Sequence, residues 1–256
     1  MLLFLYVFIF CDIITYSREY VINMFKIAIF SDVHGNLEAL QAILSNMEKD
    51  EFDEIVCLGD VIGIGPNPRE CLSLILSNNI KMVLGNHERY YLNGTHNESK
   101  MSFIEKQHHE WVQDEVGEIY KAYLSKLPID ITITVDDKKI GFMHYPFDKI
   151  MDDFYSPKVL TEDNVKHLFR NYTNHFTFFG HSHKNQFYKD HNDFIYVNVE
   201  SVGCTKDDIT YYTILEYDGK NYNIYKRKCI YDRKKFEKKL MDTNFPDKEN
   251  MIKTFF

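Results

Sequence analysis

The first short apolar run of interest, Phe25–Phe30, ends abruptly in polar residues. It is continuous and rich in residues that favour strands, which predicts a buried strand. Asp32 and His34 follow, and Asn36 then precedes a stretch with helical spacing of apolar residues over Leu37–Lys49. Asn36 is a residue type that caps helices well. Because residues two apart share one face of an extended chain, Asp32 and His34 can reach one ligand at the carboxyl end of this strand.

The same pattern occurs twice more in the first third of the chain. Glu54–Leu58 and Ile80–Leu84 are short apolar runs, and each again ends in polar residues. A helical pattern over Arg69–Ser77 separates them, with Pro68 in the first turn and Asn67 as the predicted cap. Alternating strands and helices predict parallel strands joined by right-handed crossovers. The carboxyl ends of all three strands should therefore lie along one edge of a sheet.

The second half of the chain has a different pattern. After a predicted loop over 89–95 and a long helical region over 101–126, apolar and polar residues alternate from Ile129, as in half-buried strands. The predicted strands are 129–135, 138–143, 175–179, 194–198, 210–217 and 222–229, with helices over 161–170 and from Asp232. We therefore predict one domain over residues 24–256 with two sheets, the first half of the chain parallel and the second half mainly antiparallel.

Composition and charge limit the class of protein. Hydrophobic residues make up 45% and charged residues 27% of the 256 residues, as in soluble globular proteins. The formal net charge of -8 argues against a protein that wraps nucleic acid, although bound metal ions can still attract small phosphorylated substrates. Five cysteines without a Cys-x-x-Cys motif favour a reduced, cytoplasmic protein with neither a disulfide framework nor a zinc–thiolate site.

Residues 1–23 precede the first predicted strand. Their apolar stretch, Met1–Cys11, is too short to span a bilayer before Asp12 and lacks the basic start of a secretory signal. Because Met24 lies directly before the strand, we expect translation to start there and residues 1–23 to be an upstream extension. A weak membrane or export segment is the alternative, and the intact mass of the native protein would separate the two.

Residues that can bind metals collect at the predicted strand ends. They are Asp32, His34, Asp60, Asn86, His87, His144, His181 and His183. Carboxylate and amide oxygens mixed with imidazoles favour Mn, Fe, Ni or Zn over Ca or Mg. Asp60 stands in the middle of this set and is the natural bridge between two ions, which together activate water for phosphoryl displacement. His108 and His109, by contrast, are interpreted as an exposed helix face beside a core Trp111.

Taken together, these motifs resemble those of the calcineurin-like metallophosphoesterases, in their prokaryotic branch of small phosphoesterases. The resemblance extends from Lys26 over nearly the whole chain and rests on Asp32-x-His34, Gly59-Asp60, Gly85-Asn86-His87-Glu88, His144, Gly180-His181-Ser182-His183 and the run Gly63–Glu70. It implies an α/β fold, a four-layer α/β/β/α sandwich of two mixed sheets flanked by helices. It also implies hydrolysis of small phosphomonoesters or phosphodiesters with two divalent metal ions, Mn first and Fe, Ni or Zn as alternatives.

The resemblance implies a role for each site residue. The implied ligands fall into two sets bridged by Asp60: Asp32, His34 and His183 for the first ion, and Asn86, His144 and His181 for the second. His87 would contact the phosphate and protonate the leaving oxygen, with Glu88 orienting its imidazole. A hydroxide that bridges the metals would be the nucleophile, so no covalent phosphoenzyme is expected.

Two departures from the family pattern concern the substrate pocket. Asn198-Val199-Glu200-Ser201 stands where members often have Asn-Pro-Gly-Ser, so Glu200 either adds negative charge near the site or faces solvent. Tyr145 follows His144 in place of a small residue, which predicts a tighter pocket. Loops 89–100 and 145–160 are expected to decide between mono- and diesters.

Two other functions are compatible with the motifs. One is a non-catalytic scaffold on the same fold that binds metal or a partner, but this predicts lost ligands and none is missing. The other is a protein Ser/Thr phosphatase, which the absence of a long C-terminal recognition region disfavours. The oligomeric state is left open.

Overall fold

A computed structural model describes residues 24–95 and 101–256, and the predicted extension over residues 1–23 lies outside them. The strands are β1 (Phe25–Phe30), β2 (Glu54–Cys57), β3 (Lys81–Met82), β4 (Asp130–Val135), β5 (Lys138–Met143), β6 (Phe147–Asp148), β7 (Asp153–Phe154), β8 (Phe176–Phe179), β9 (Gln186–Lys189), β10 (Ile195–Asn198), β11 (Ile209–Tyr217) and β12 (Tyr222–Ile230). The helices are α1 (Leu37–Met47), α2 (Pro68–Ser77), α3 (Asn86–Asn93), α4 (Phe103–Val116), α5 (Lys121–Leu124), α6 (Glu162–Leu168), α7 (Arg233–Asp242) and α8 (Lys248–Phe255).

The strands form two mixed sheets of five strands and one small hairpin, β6-β7. The first sheet has the order β12-β11-β1-β2-β3, with β1, β2 and β3 parallel as predicted and β11 antiparallel to β1. The second has the order β4-β5-β8-β10-β9, with β5, β8 and β10 parallel. Most pairings in the second half of the chain are antiparallel, as predicted, but β5, β8 and β10 run parallel. The two halves of the chain do not each form one sheet, because β11 and β12 complete the first sheet.

Alternating side chains of β1 show how the layers stack. Ala28 and Phe30 belong to the core between the first sheet and its helices. Ile27 and Ile29 point to the opposite face and pack in the core between the two sheets. A third core, which includes Phe169 of the segment after α6, covers the outer face of the second sheet. The result is the four-layer α/β/β/α sandwich expected for the fold, with β1 apolar on both faces because both are buried.

Three local predictions differ from the structure. The segment predicted as a loop over 89–95 is mostly helix α3. This helix begins at Asn86, where the Glu88 side chain accepts from the Gly85 backbone N–H. The long helical region divides at Gly117, whose φ of 63° ends α4. Asn67 makes no side-chain cap bond to α2, unlike Asn36, which accepts from the backbone N–H of Ala39.

Among residues 24–95 and 101–256, the helices are all too short or too polar to cross a lipid bilayer.

Candidate metal centre

The carboxyl ends of the parallel strands of both sheets meet at one edge of the sandwich. The segments after β1, β2 and β3 approach from the first sheet, and those after β5 and β8 approach from the second. This edge gathers all the residues predicted to hold metals: Asp32, His34, Asp60, Asn86, His144, His181 and His183.

Asp32, His34 and His183 form a first group of candidate ligand atoms. The Nε2 atoms of the two histidines are 2.9 Å apart. Asp32 Oδ1 lies 3.4 Å from His183 Nε2 and 3.7 Å from His34 Nε2. Asp32 is fully buried, and although its Oδ2 accepts the His181 backbone N–H at 3.0 Å, Oδ1 has no hydrogen-bond partner among the described residues. A buried carboxylate oxygen without a donor is costly, so this atom fits a cation.

Asn86, His144 and His181 form a second group. His144 Nε2 lies 2.8 Å from Asn86 Oδ1 and 3.2 Å from His181 Nδ1. The other ring nitrogen of His144, Nδ1, is 2.9 Å from the carbonyl oxygen of Leu58. A proton on Nδ1 that is donated to this carbonyl leaves Nε2 free to bind a metal, the arrangement usual for histidine ligands.

Asp60 lies between the two groups and uses its two oxygens differently. Oδ1 accepts the backbone N–H of His87 at 2.9 Å. Oδ2 is 3.3 Å from His144 Nε2 in the second group and 3.9 Å from His34 Nε2 in the first. One oxygen therefore holds the carboxylate in place, while the other faces both groups at once.

The electrostatics of the site suit divalent cations. Burial raises the pKa of Asp32, but the nearby imidazoles of His183 and His34 outweigh it and hold the pKa well below its usual range. Burial also raises the pKa of Asp60, but nearby histidines, above all the charge of His144, outweigh it and lower the pKa. Burial lowers the pKa of His144, but the Asp60 charge raises it to about 9. Two anionic carboxylates surrounded by buried imidazoles are the donor set that a divalent metal needs.

Most of the candidate ligands have a left-handed backbone conformation. The non-glycine residues of the site with φ between 49° and 71° are Asp32, His34, Asp60, His181 and His183. Each such residue costs of order 1–3 kcal/mol and persists only where its surroundings fix it. Here the His34 backbone N–H donates to the Asp60 carbonyl at 3.0 Å, and the Asp32 N–H donates to the Gly59 carbonyl at 3.1 Å. The strain is thus concentrated at the site, as in many functional centres.

Glu88 has a different task from the one expected. Its carboxylate accepts the backbone N–H groups of Asp60 and Val61 at 2.8 Å, Gly85 at 3.1 Å and Ile62 at 3.2 Å. The expectation that Glu88 orients the His87 imidazole is therefore wrong, because both oxygens are used by buried amides that need an acceptor. Glu88 instead stabilises the turn that presents Asp60.

His87 lies at the mouth of the site. Its Nε2 is 4.0 Å from Asp60 Oδ2, and its side chain is 18% exposed towards a cleft of about 650 Å³. The cleft extends from the metal centre past α3 and α4 to the segment 153–157 and to α8. Its walls include Tyr90, His109, Phe154, Tyr155 and Met251.

His109 is a residue of the cleft that the sequence prediction missed. It is 8% exposed, and its ring centroid is 5.0 Å from that of His87, so the predicted exposed helix face is wrong for this residue. Burial lowers its pKa to about 4, which keeps the ring neutral. The signal in the sequence was the helical spacing of His109 with Val112 and Val116, which are both buried on the same side of α4.

The two departures from the family pattern have structural explanations. Glu200 forms an ion pair with Lys226 at 2.7 Å, so its charge is neutralised beside β12. Tyr145 is fully buried, with its ring centroid 5.3 Å from that of His181 and its hydroxyl accepting the Lys158 backbone N–H. Its ring packs against the candidate ligand His181 and does not line the cleft, so it does not narrow the pocket.

Comparison with known proteins identifies relatives over most of the chain. The model of the calcineurin-like phosphoesterase superfamily domain matches residues 25–220. An uncharacterized protein of Methanocaldococcus jannaschii is 29% identical over 239 residues, which cover 86% of this chain and 94% of the relative.

Two solved structures share the fold. A hypothetical protein from Pyrococcus horikoshii OT3 superimposes with a TM-score of 0.75 at 16% identity, covering 90% of this chain and 97% of the other. A metallophosphoesterase from Sphaerobacter thermophilus gives a TM-score of 0.68 at 20% identity, covering 90% and 98%.

Proposed function

The chain belongs to the calcineurin-like phosphoesterase superfamily, and on that premise we propose that it hydrolyses small phosphomonoesters or phosphodiesters with two divalent metal ions. The observation that carries the proposal is the position of Asp60. Its Oδ2 lies 3.3 Å and 3.9 Å from ligand atoms of two separate groups, as a bridging carboxylate must. All seven expected ligands are present, which favours an enzyme over a non-catalytic scaffold.

The residues at the strand ends would hold the ions in two sets bridged by Asp60. The sets are Asp32, His34 and His183 for the first ion, and Asn86, His144 and His181 for the second. When bound, the ions would activate water and neutralise charge on the phosphoryl group. The Glu88 carboxylate keeps the Asp60 turn in register, so that Oδ2 faces both sets.

His87 is the proposed proton donor to the leaving oxygen. It is the second residue of α3, whose amino terminus lies at the site and carries a partial positive charge that favours a bound phosphate. The imidazole has its Nδ1 buried without a partner among the described residues and its Nε2 towards Asp60 and the cleft. A substrate with its phosphoryl group at the metals would therefore place a leaving group within reach of His87.

The cleft supports a small organic substrate. Its volume of about 650 Å³ is in the range of small-molecule sites. Tyr90, His109, Phe154 and Tyr155 offer ring faces and edges beyond the metal centre, where the organic part of an ester would lie. Manganese as the native metal and a cytoplasmic location stay predictions from the sequence.

Hydrolysis of two chromogenic esters tests the proposal. Metal-stripped protein is assayed on p-nitrophenyl phosphate and bis-p-nitrophenyl phosphate with and without added Mn, beside an Asp60→Asn variant. Asparagine tolerates the left-handed φ of 53° at this position, so the variant should fold but lack the anionic bridge.

We expect Mn to restore activity to the unsubstituted protein and not to the Asp60→Asn variant. The ratio of the rates on the two esters should indicate a preference for mono- or diesters. A folded protein that binds two ions yet hydrolyses neither ester with Mn, Fe, Ni or Zn would contradict the general phosphoesterase and favour the scaffold.

A further inference from the structure

A cysteine lies beside the first group of candidate ligands. Cys204, His34 and His183 each bring one ligand atom to within 4.8 Å of the others. Cys204 is half-buried and forms no disulfide. The thiol is therefore at the metal centre although it belongs to none of the family motifs recognised in the sequence.

The turn that carries Cys204 is fixed to the loop that carries Asp32. The Ser201 hydroxyl donates to the Asp32 carbonyl at 2.7 Å and accepts the Cys204 backbone N–H at 2.9 Å. The Gly203 N–H also donates to the Asp32 carbonyl, at 3.0 Å. A Cβ at Gly203 would clash with the carbonyl of Val33, so the two backbones are in direct contact. The sulfur is thus positioned by the same backbone that positions the first ligand.

Two buried atoms of the first group call for a positively charged partner or a donor. Asp32 Oδ1 and His34 Nδ1 are both buried without a hydrogen-bond partner among the described residues. Asp32 is fully buried and His34 is 1% exposed. An unpartnered carboxylate oxygen close to two imidazoles indicates a cation at this end of the centre, independently of the cysteine.

We propose that the thiolate of Cys204 is a ligand of the first metal ion, together with Asp32, His34 and His183. This inference rests on the proposed function, because it needs a divalent ion in that site. On binding, the S–H bond breaks, a metal–sulfur bond forms and the proton leaves to solvent. The metal keeps its oxidation state.

A thiolate changes the metal that the first site prefers. Soft sulfur ligands select Zn or Fe, whereas carboxylate and carbonyl oxygens suit Mn. The second site, with Asn86, His144 and His181, has no sulfur among its candidate ligands. The two sites should therefore differ in metal preference, and the sequence-based expectation of no zinc–thiolate contact should be wrong for the first site.

Cobalt substitution tests the thiolate directly. Metal-stripped full-length protein is loaded with Co(II), and its absorption spectrum is compared with those of Cys204→Ser and of Cys229→Ala. Cys229 is a buried thiol of β12 in the helix-side core and serves as the matched control. We expect a thiolate-to-cobalt charge-transfer band in the near ultraviolet for the natural sequence and for Cys229→Ala, and its loss in Cys204→Ser.

The spectrum separates failure of this inference from failure of the proposed function. Visible cobalt bands without a charge-transfer band would show that ions bind but that Cys204 only contacts a ligand, which would overturn the inference. Absence of all cobalt bands from folded protein would overturn both the inference and the two-metal centre. A charge-transfer band that persists in Cys204→Ser would also overturn the assignment to this residue.

Metal competition gives a second readout. Outer partners that merely contact a ligand already contribute about 10–100-fold to metal affinity. Loss of a direct thiolate ligand in Cys204→Ser should therefore lower the Zn affinity of the first site by roughly 10-fold or more, with a smaller change for Mn. An equal change for both metals would overturn the selectivity that we infer.

Discussion

At the scale of single residues, the hydrogen bond that links His87 to the Asp60 carboxylate comes from the His87 backbone and not from its imidazole. The His87 N–H donates to Asp60 Oδ1, while the His87 ring packs edge-on against the ring of His34, with centroids 4.8 Å apart, and lines the cleft. Removing the ring should therefore leave the bridge carboxylate in place. This separation allows proton donation to be tested apart from metal binding.

We predict that His87→Ala binds both metal ions normally and loses about 100- to 10,000-fold in kcat on alkyl phosphates, the range typical of general acid catalysis. An alkoxide leaves poorly without a proton, whereas p-nitrophenolate leaves well, so the loss on p-nitrophenyl phosphate should be much smaller. Turnover on both esters and metal content by elemental analysis provide the measurement.

The same variant can contradict the proton-donor role in two ways. Unchanged turnover on alkyl phosphates would exclude it outright. Equal losses on good and poor leaving groups would assign His87 to phosphate binding alone. His109→Phe, which keeps a ring in the same wall of the cleft, serves as the comparison because it leaves His87 in place.

At the scale of elements, the loop after β1 joins three parts of the structure through Asn36. Its Oδ1 caps α1 at the Ala39 N–H, and its Nδ2 donates to the Gly203 carbonyl, each at 3.0 Å. The side chain is fully buried. One residue therefore fixes the start of a helix and the turn that carries Cys204.

We predict that Asn36→Ala lowers the free energy of unfolding by about 2–4 kcal/mol, from a lost cap and an unsatisfied buried carbonyl. Asn36→Ser, which keeps a capping oxygen, should lose only about half as much. Denaturant unfolding of metal-free protein measures both. Asn67→Ala is the matched control, since Asn67 occupies the cap position of α2 without a capping bond and should change stability by less than about 0.5 kcal/mol. Similar losses at both positions would contradict the bridging role of Asn36.

The sequence predicted those elements whose pattern is local. β1 and β5 have the predicted positions because each combines a short apolar run with polar ends. Helix α3 could not be predicted, because its start depends on Glu88 satisfying amides of the β2 turn, which is distant in sequence. The role of Glu88 could not be predicted for the same reason, because the amides that it accepts from are distant in sequence. The pairing of β11 with β1 was missed because register between remote strands leaves no local signal.

For the candidate site, the sequence predicted the residue types at strand ends but not their surroundings. Asp32 and His183 meet only when two sheets stack, yet each is recognisable from its own motif. His109 and Cys204 have no motif. Helical spacing with Val112 and Val116 indicates a buried face for His109, but its contact with His87 and the place of Cys204 beside His183 follow from packing. The structure is therefore needed to find those residues of the site that belong to no sequence motif.

At the scale of the whole molecule, the apolar layer between the sheets holds both halves of the site together. Phe178 of β8 is fully buried in that layer, and its ring stacks on Phe142 of β5 with centroids 5.8 Å apart. Both strands lead directly to candidate ligands of the second sheet. The position of that ligand set relative to the first sheet therefore depends on this packing.

We predict that Phe178→Ala destabilises the protein by about 3–5 kcal/mol, the usual cost of a large buried cavity. Phe187→Ala, on β9 of the same sheet, is the control, because Phe187 is 56% exposed and should cost less than about 0.5 kcal/mol. Thermal and denaturant unfolding measure the difference. Comparable losses of unfolding free energy in the two variants would contradict a large contribution of the inter-sheet layer to stability.

The place of β1 between β2 and β11 has a consequence for how the molecule is made. β2 follows closely in the chain, but Phe25 pairs with Tyr217, near the end of the sandwich. Until β11 emerges from the ribosome, β1 presents a hydrophobic edge with no strand beside it. Such late, long-range pairing slows folding and exposes nascent chains to aggregation. The first sheet can therefore be completed only after β11 has been made, although Asp32, the first candidate ligand, directly follows β1.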